Sequence, residues 1–198
     1  MKICLGGSFN PIHHGHLICA RAVAEHMGAD GIVLIPTAQS PHKTVGELAP
    51  VADRMRMCLL AVQGTDMFEV DDREIRRGER SYTIDTVREL RAAGWDGVRW
   101  LIGADMLNIL PTWKEPIALL AEAEFLVMAR PGWTFDWAGL PAEFQSLRKN
   151  IVEVPGIDIS STDIRRRCAA DKSIDFLTPA SVARYIVDRN LYRDGSRA

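Results

Sequence analysis

Short apolar runs alternate with helical patterns along the whole 198-residue chain, and this alternation limits the fold more than any other feature. Residues 2–5 read as a buried strand. Leu17, Ala20, Val23, Ala24 and Met27 then recur at helical spacing, with Gly28 as a stop. Ile32-Val33-Leu34-Ile35 is a second strand, closed by Pro36. A loop over 36–49 and a helix over 51–63 follow, and 67–70 is a third strand. A polar segment, 71–80, leads into a helix carrying Ile84, Val87 and Leu90 and ended by Gly94. Further strands are expected at 98–102, 125–128 and 151–154. Thr178 and Pro179 are expected to supply a cap and a first-position proline for a helix reaching about Asp188. Strands that are apolar throughout, each followed by a helix, predict an α/β protein with a doubly wound parallel sheet of Rossmann-like type. No linker or repeat divides the chain, so one domain over 1–198 is expected, with a C-terminal helical part, about 160–192, packed on it. In such a sheet a ligand lies beyond the carboxyl ends of the strands.

The segment behind the first strand is Gly7-Ser8-Phe9-Asn10-Pro11-Ile12-His13-His14-Gly15-His16. It reads as a tight turn that opens a helix at Gly15-His16. Unpaired N–H groups and the helix dipole favour an anion there, and the glycines let backbone approach it. His13 and His16 add imidazole donors at the same place, which makes a site for a polyphosphate. The spacing fits neither a Walker A loop nor a G-x-G-x-x-G fingerprint. No Cys or Glu at ligand spacing completes a tetrahedral metal set around the histidines.

Near the other end, Ile159-Ser160-Ser161-Thr162-Asp163-Ile164-Arg165 combines a helix cap with a guanidinium one turn further on. Hydroxyls, N–H groups and Arg165 can therefore face one anion. Together the two segments resemble the (H/T)xGH and SxTxxR signatures of the nucleotidylyltransferase superfamily. Between them, Pro36-Thr37-Ala38-Gln39-Ser40-Pro41-His42-Lys43, Ser81-Tyr82-Thr83-Ile84-Asp85-Thr86, Gly103-Ala104-Asp105, Pro111-Thr112-Trp113 and Arg130-Pro131-Gly132 resemble the bacterial nicotinate-nucleotide adenylyltransferases, as does the ending Asn190-Leu191-Tyr192. Two positions depart from that family's pattern. Asn10 stands where many members have Asp, and Lys43 where some have Arg.

The resemblance implies adenylyl transfer from ATP to nicotinate mononucleotide, giving nicotinate adenine dinucleotide and pyrophosphate in NAD biosynthesis. It implies catalytic roles for His13, His16 and Arg165. ATP is expected to meet Gly7, Ser8, Phe9, His13, His16, Gly103, Asp105, Ser160, Ser161, Thr162 and Arg165. The mononucleotide is expected to meet Lys43, Thr83, Trp113 and Arg130, with Trp113 stacked on the pyridine ring and Thr83 near its carboxylate. Mg²⁺ is expected on the ATP phosphates, not on protein side chains. Each assignment has a plainer counterpart: Trp113 as core, Thr83 as a helix cap, Asp105 as a turn residue and Arg130 as a surface charge. Phosphopantetheine adenylyltransferase is the alternative activity, although those chains are shorter and tend to carry Thr at the place of His13. An adenylyltransferase for the amide mononucleotide is the other.

Composition sets outer limits. With 47% hydrophobic and 25% charged residues the chain is ordinarily globular, and a net charge of -2 argues against a nucleic-acid partner held by a broad basic surface. Cys4, Cys19, Cys58 and Cys168 show no C-x-x-C pairing and read as buried, reduced thiols. Without a signal-peptide pattern or an apolar stretch of membrane-spanning length, a cytoplasmic protein with small-molecule substrates and no membrane partner is expected. Homo-oligomerisation is left open.

Overall fold

The computed structural model describes residues 1–40 and 48–193. Its strands are β1 (Lys2–Gly7), β2 (Gly31–Pro36), β3 (Phe68–Val70), β4 (Val98–Gly103), β5 (Ala123–Ala129) and β6 (Ile151–Glu153). They form a parallel sheet in the order β3-β2-β1-β4-β5-β6. The helices are α1 (His14–Met27), α2 (Val51–Ala61), α3 (Arg73–Arg77), α4 (Thr83–Ala92), α5 (Ala104–Leu107), α6 (Pro116–Glu122), α7 (Ser161–Ala169) and α8 (Ala180–Asp188).

Period-two alternation along each strand sorts the apolar side chains onto two faces. Ile3, Leu5, Ile32, Leu34, Leu101 and Leu126 point one way, into a core shared with α1 and, through Ile164, Cys168, Val182 and Ile186, with α7 and α8. Cys4, Val33, Ile35, Trp100, Ile102, Phe125 and Val127 point the other way, against Val87 and Leu90 of α4 and Leu119 of α6. Both faces are covered, which is why the strands are apolar throughout. All four cysteines are buried and free.

The start of the chain becomes the centre of the sheet. In β1, Cys4 pairs with Val33 on one side and Trp100 on the other. Strand order reverses between β1 and β4, so a crevice opens beyond Gly7 and Gly103.

Two sequence expectations change. The polar segment 71–80 contains the short helix α3, whose Glu74 turns inward and is 2% exposed. Thr178 does not cap α8: Pro179 takes the N-cap position, and the buried Thr178 hydroxyl donates to the Ile12 carbonyl at 2.8 Å. A residue that looks like a local cap therefore fastens α8 to the turn behind β1.

Candidate active site

The turn behind β1 is shaped by close packing. A Cβ on Gly6 would lie 2.5 Å from the Trp100 ring, itself 2% exposed, so only glycine lets that indole pass under the strand end. Phe9 is buried and takes φ 44°, a left-handed conformation unusual for a side-chain-bearing residue. Helix α1 begins at His14, one residue earlier than expected, with His13 as an extended N-cap.

The His13 N–H donates to His16 Nδ1 at 3.3 Å. Since Nδ1 accepts, the proton of a neutral His16 ring sits on Nε2. The two imidazoles are stacked, and the Phe9 ring meets His16 edge-on at 5.3 Å. His13 is 6% exposed. Burial, and then the nearby charges of His14 and Arg130, lower its pKa to about 4. At neutral pH His13 is therefore an uncharged hydrogen-bonding group and not a cation.

The second motif is sewn onto this turn across 150 residues of sequence. Ser160 caps α7 by accepting from the Asp163 N–H at 3.1 Å. Ser161 Oγ donates to the Pro11 carbonyl at 2.8 Å. Arg165 donates to the Asn10 carbonyl at 2.8 Å and to Thr162 Oγ1 at 3.3 Å. Asn10 Oδ1 in turn accepts from the Tyr192 hydroxyl at 2.8 Å and from the Ala49 N–H at 3.0 Å.

A cavity of about 950 Å³ opens at the reversal of strand order. One wall holds Gly7, Ser8, Phe9, His13 and His16, and Ser160 and Ser161 border it. Gly103 and Asp105 line it beyond β4, while Thr83, Trp113 and Arg130 line the remainder. Thr162 and Arg165 are not among the lining residues; the half-buried Arg165 grips the turn from behind. Lys43 lies outside the described residues.

At the far end, α4 points its first turn at the cavity. Its N-cap is Tyr82, with no side-chain cap bond, so Thr83 is the first helical residue and not the cap. Uncapped N–H groups at such an end favour an anion. Trp113 combines its two readings: it lines the cavity and also packs edge-on against core Phe125, at 6.4 Å. Arg130 is exposed and pairs with Asp158 at 3.2 Å.

Lys114, Tyr82 and Glu74 line the cavity too, and sequence reasoning did not single them out. Lys114 Nζ lies 2.8 Å from Asp85 and 5.0 Å from the Tyr82 ring centroid. A lone lysine in a loop carries no periodic signal. Glu74 accepts from Thr86 Oγ1 at 2.6 Å, and burial raises its pKa against the opposing pull of its Thr86 and Ser81 hydrogen bonds. Among the described residues, no group of three or more His, Cys, Asp or Glu side chains is placed to hold a metal ion. No helix among them is long and apolar enough to cross a membrane.

The cytidylyltransferase-like family matches residues 4–167. A Streptomyces coelicolor protein named probable nicotinate-nucleotide adenylyltransferase is 42% identical over 96% of this chain and 99% of its own length. One of the same name from Chromobacterium violaceum is 40% identical, over 95% of this chain and 96% of its own. The chain belongs to the nicotinate-nucleotide adenylyltransferase family. The fold agrees. Plasmodium falciparum nicotinic acid mononucleotide adenylyltransferase, solved with NaAD, superposes with a TM-score of 0.77 at 20% identity, covering 96% of this chain and 97% of that one. A Vibrio parahaemolyticus structure described as a putative nicotinate-nucleotide adenylyltransferase gives 0.66 at 17% identity, covering 98% and 96%. The (H/T)xGH signature of the adenylyltransferases is residues 13–16 here, at the mouth of α1, and the SxTxxR signature opens α7 beside it.

Proposed function

We propose that the chain transfers the adenylyl group of ATP to nicotinate mononucleotide, releasing pyrophosphate and forming nicotinate adenine dinucleotide. The observation that carries this reading is the cavity's two-ended chemistry. Paired imidazoles at the mouth of α1 lie at one end, and the uncapped start of α4 with Trp113 lies at the other.

A phosphate oxygen of the mononucleotide attacks the α-phosphorus of ATP. The bond from that phosphorus to the bridging oxygen of the β-phosphate breaks, and pyrophosphate leaves. The attacking oxygen is already anionic, so no general base or covalent protein nucleophile is needed. Catalysis then rests on placing two anions in line and on stabilising the charge that develops. We assign His16 Nε2–H and the neutral His13 ring to hydrogen bonding with the polyphosphate. Gly7, Ser8 and Phe9 supply close backbone, and Ser160 and Ser161 border the same end.

Arg165 is assigned to holding the Asn10 carbonyl and to presenting its remaining N–H donors to phosphate, with Thr162 orienting it. Gly103 and Asp105 are placed for the adenosine side. Thr83, Trp113 and Arg130 are placed for the mononucleotide, and Lys43 is assigned to it by resemblance. Mg²⁺ enters as part of the substrate, bridging ATP phosphate oxygens, and adds Lewis-acid stabilisation of the leaving pyrophosphate. The reading places the reaction in the cytoplasm, with small molecules as partners.

The deciding experiment is pyrophosphate release with MgATP and, in separate reactions, nicotinate mononucleotide, its amide and phosphopantetheine. Turnover is expected with the acid mononucleotide above the other two. Preference for phosphopantetheine overturns the reading.

A further inference from the structure

Arg54, on α2, is 1% exposed, and every acceptor the structure gives it is a main-chain carbonyl. Its Nε donates to Ala49 at 3.1 Å. One terminal nitrogen donates to both Ser8 and Thr37 at 2.8 Å, and the other to Ala38 at 2.9 Å. A buried guanidinium without a carboxylate in its bonding set is unusual, because burying charge is costly unless its hydrogen bonds are met.

The acceptors come from three loops at the carboxyl edge of the sheet. Ser8 is in the turn behind β1, Thr37 and Ala38 follow β2, and Ala49 precedes α2. The bond to Ser8 fixes that peptide plane and with it the direction of the Phe9 N–H, which in a trans peptide points the opposite way. Phe9 is the residue held at φ 44°.

The other side of the clamp leads across the cavity. The Thr37 N–H donates to the Gly7 carbonyl at 2.9 Å. The Ala38 N–H donates to Ser81 Oγ at 2.9 Å, and the Ser81 N–H to the Gln39 carbonyl at 3.0 Å. One guanidinium thus ties the phosphate turn to the segment that leads into α4.

We propose that Arg54 is a positioning residue that sets the distance between the polyphosphate end and the mononucleotide end of the cavity. It touches neither substrate. This inference rests on the adenylyl-transfer reading above. Each half of the site keeps its own contacts without Arg54, but their mutual placement slackens, and an error of about 1 Å in a reacting pair lowers rate about a hundredfold.

Lysine keeps the charge but cannot reach four carbonyls in a planar fork, so Arg54→Lys is the informative variant, with Arg54→Gln beside it. In enzyme shown by circular dichroism to be folded at the assay temperature, kcat is expected to fall 30- to 100-fold. The Kd of each substrate, titrated alone, is expected to change less than threefold. Guanidinium ion added to Arg54→Ala is expected to restore part of kcat, and methylammonium is not. A folded Arg54→Lys enzyme with kcat within threefold of wild type overturns the proposal. So does a loss of kcat matched by equal losses in both Kd values. If neither Lys nor Gln at this position yields folded protein, Arg54 is a stability residue and the proposal falls. Wild-type enzyme that releases no pyrophosphate with the acid mononucleotide refutes the adenylyl-transfer reading instead.

Discussion

The imidazoles of His13 and His16 lie stacked, with ring centroids 3.7 Å apart and planes 24° from parallel. Burial already penalises charge on the inner ring, and the positive charges of His14 and Arg130 add to that penalty. The arrangement supplies donors to an anion without adding a second full charge at the helix mouth. Neutral donors held in place lose nothing to reorganisation as charge develops on the phosphates.

Stability should register this burial. The folded pKa of His13 is about 4, against an ordinary 6.5. A depressed histidine binds fewer protons folded than unfolded, so nothing is lost above pH 6.5. Stability falls as the pH drops from 6.5 towards 4, then levels off. The full loss is about 3 kcal/mol from the two pKa values. Urea unfolding at pH 7, 5.5 and 4.5 checks it on wild type and His13→Gln. Subtracting the variant removes the contribution of carboxylates, and a difference that does not change with pH contradicts a buried neutral His13.

His16→Ala should lower kcat by about two to three orders of magnitude, the scale for one lost donor to developing charge. The substitution leaves both cores untouched, so the melting temperature should shift little. Steady-state kinetics beside a thermal melt decides it. Unchanged kcat would remove His16 from the machinery.

Arg165→Lys tests whether the second signature needs a fork. The native guanidinium bonds the Asn10 carbonyl and Thr162 Oγ1 together. An ammonium can replace a charge but not that planar geometry. We expect kcat/KM for ATP to fall about tenfold to a hundredfold, a loss of about 1.4–2.8 kcal/mol in transition-state binding. Wild-type kinetics in the lysine variant would leave α7 as a capped helix with a surface charge.

Much of this was legible in advance because it is periodic or local. Ile3 and Leu5 against Cys4, and Ile32 and Leu34 against Val33, declare two covered faces by alternation alone. The turn at Gly7 and the cap at Ser160 are local chemistry, which sequence displays directly. Contacts that span the chain were hidden. Thr178 resembled a cap and instead bonds Ile12, and Arg54 resembled one more helical arginine. Their partners are main-chain carbonyls, which leave no trace in residue identity. Thr83 shows the same limit, since Tyr82 and not Thr83 takes the N-cap position.

Trp113→Ala should weaken the acid and amide mononucleotides alike, because a stacking face does not sense the carboxylate. Its contact with Phe125 also makes it part of the core, so the melting temperature should fall as well. Binding titrations with both mononucleotides, run below the melt, separate the two effects. A loss confined to the acid would place Trp113 at the carboxylate and not at the ring.

The choice of acid over amide is expected at the start of α4. No side chain caps this helix, and Lys114 stands beside it with its charge shared between Asp85 and the Tyr82 ring. A carboxylate there accepts charge-assisted hydrogen bonds from backbone N–H groups. A carboxamide turns its own NH₂ towards one of those donors, and each donor left unpaired in a buried site costs about 1–3 kcal/mol. Two such contacts give discrimination in kcat/KM on the order of a hundredfold or more. Lys114→Met should narrow that ratio by lowering the rate with the acid while leaving the amide near its wild-type value. Competing the two mononucleotides in one reaction measures the ratio directly. Equal consumption by the wild-type enzyme would mean that the pocket reads the ring and ignores the charge.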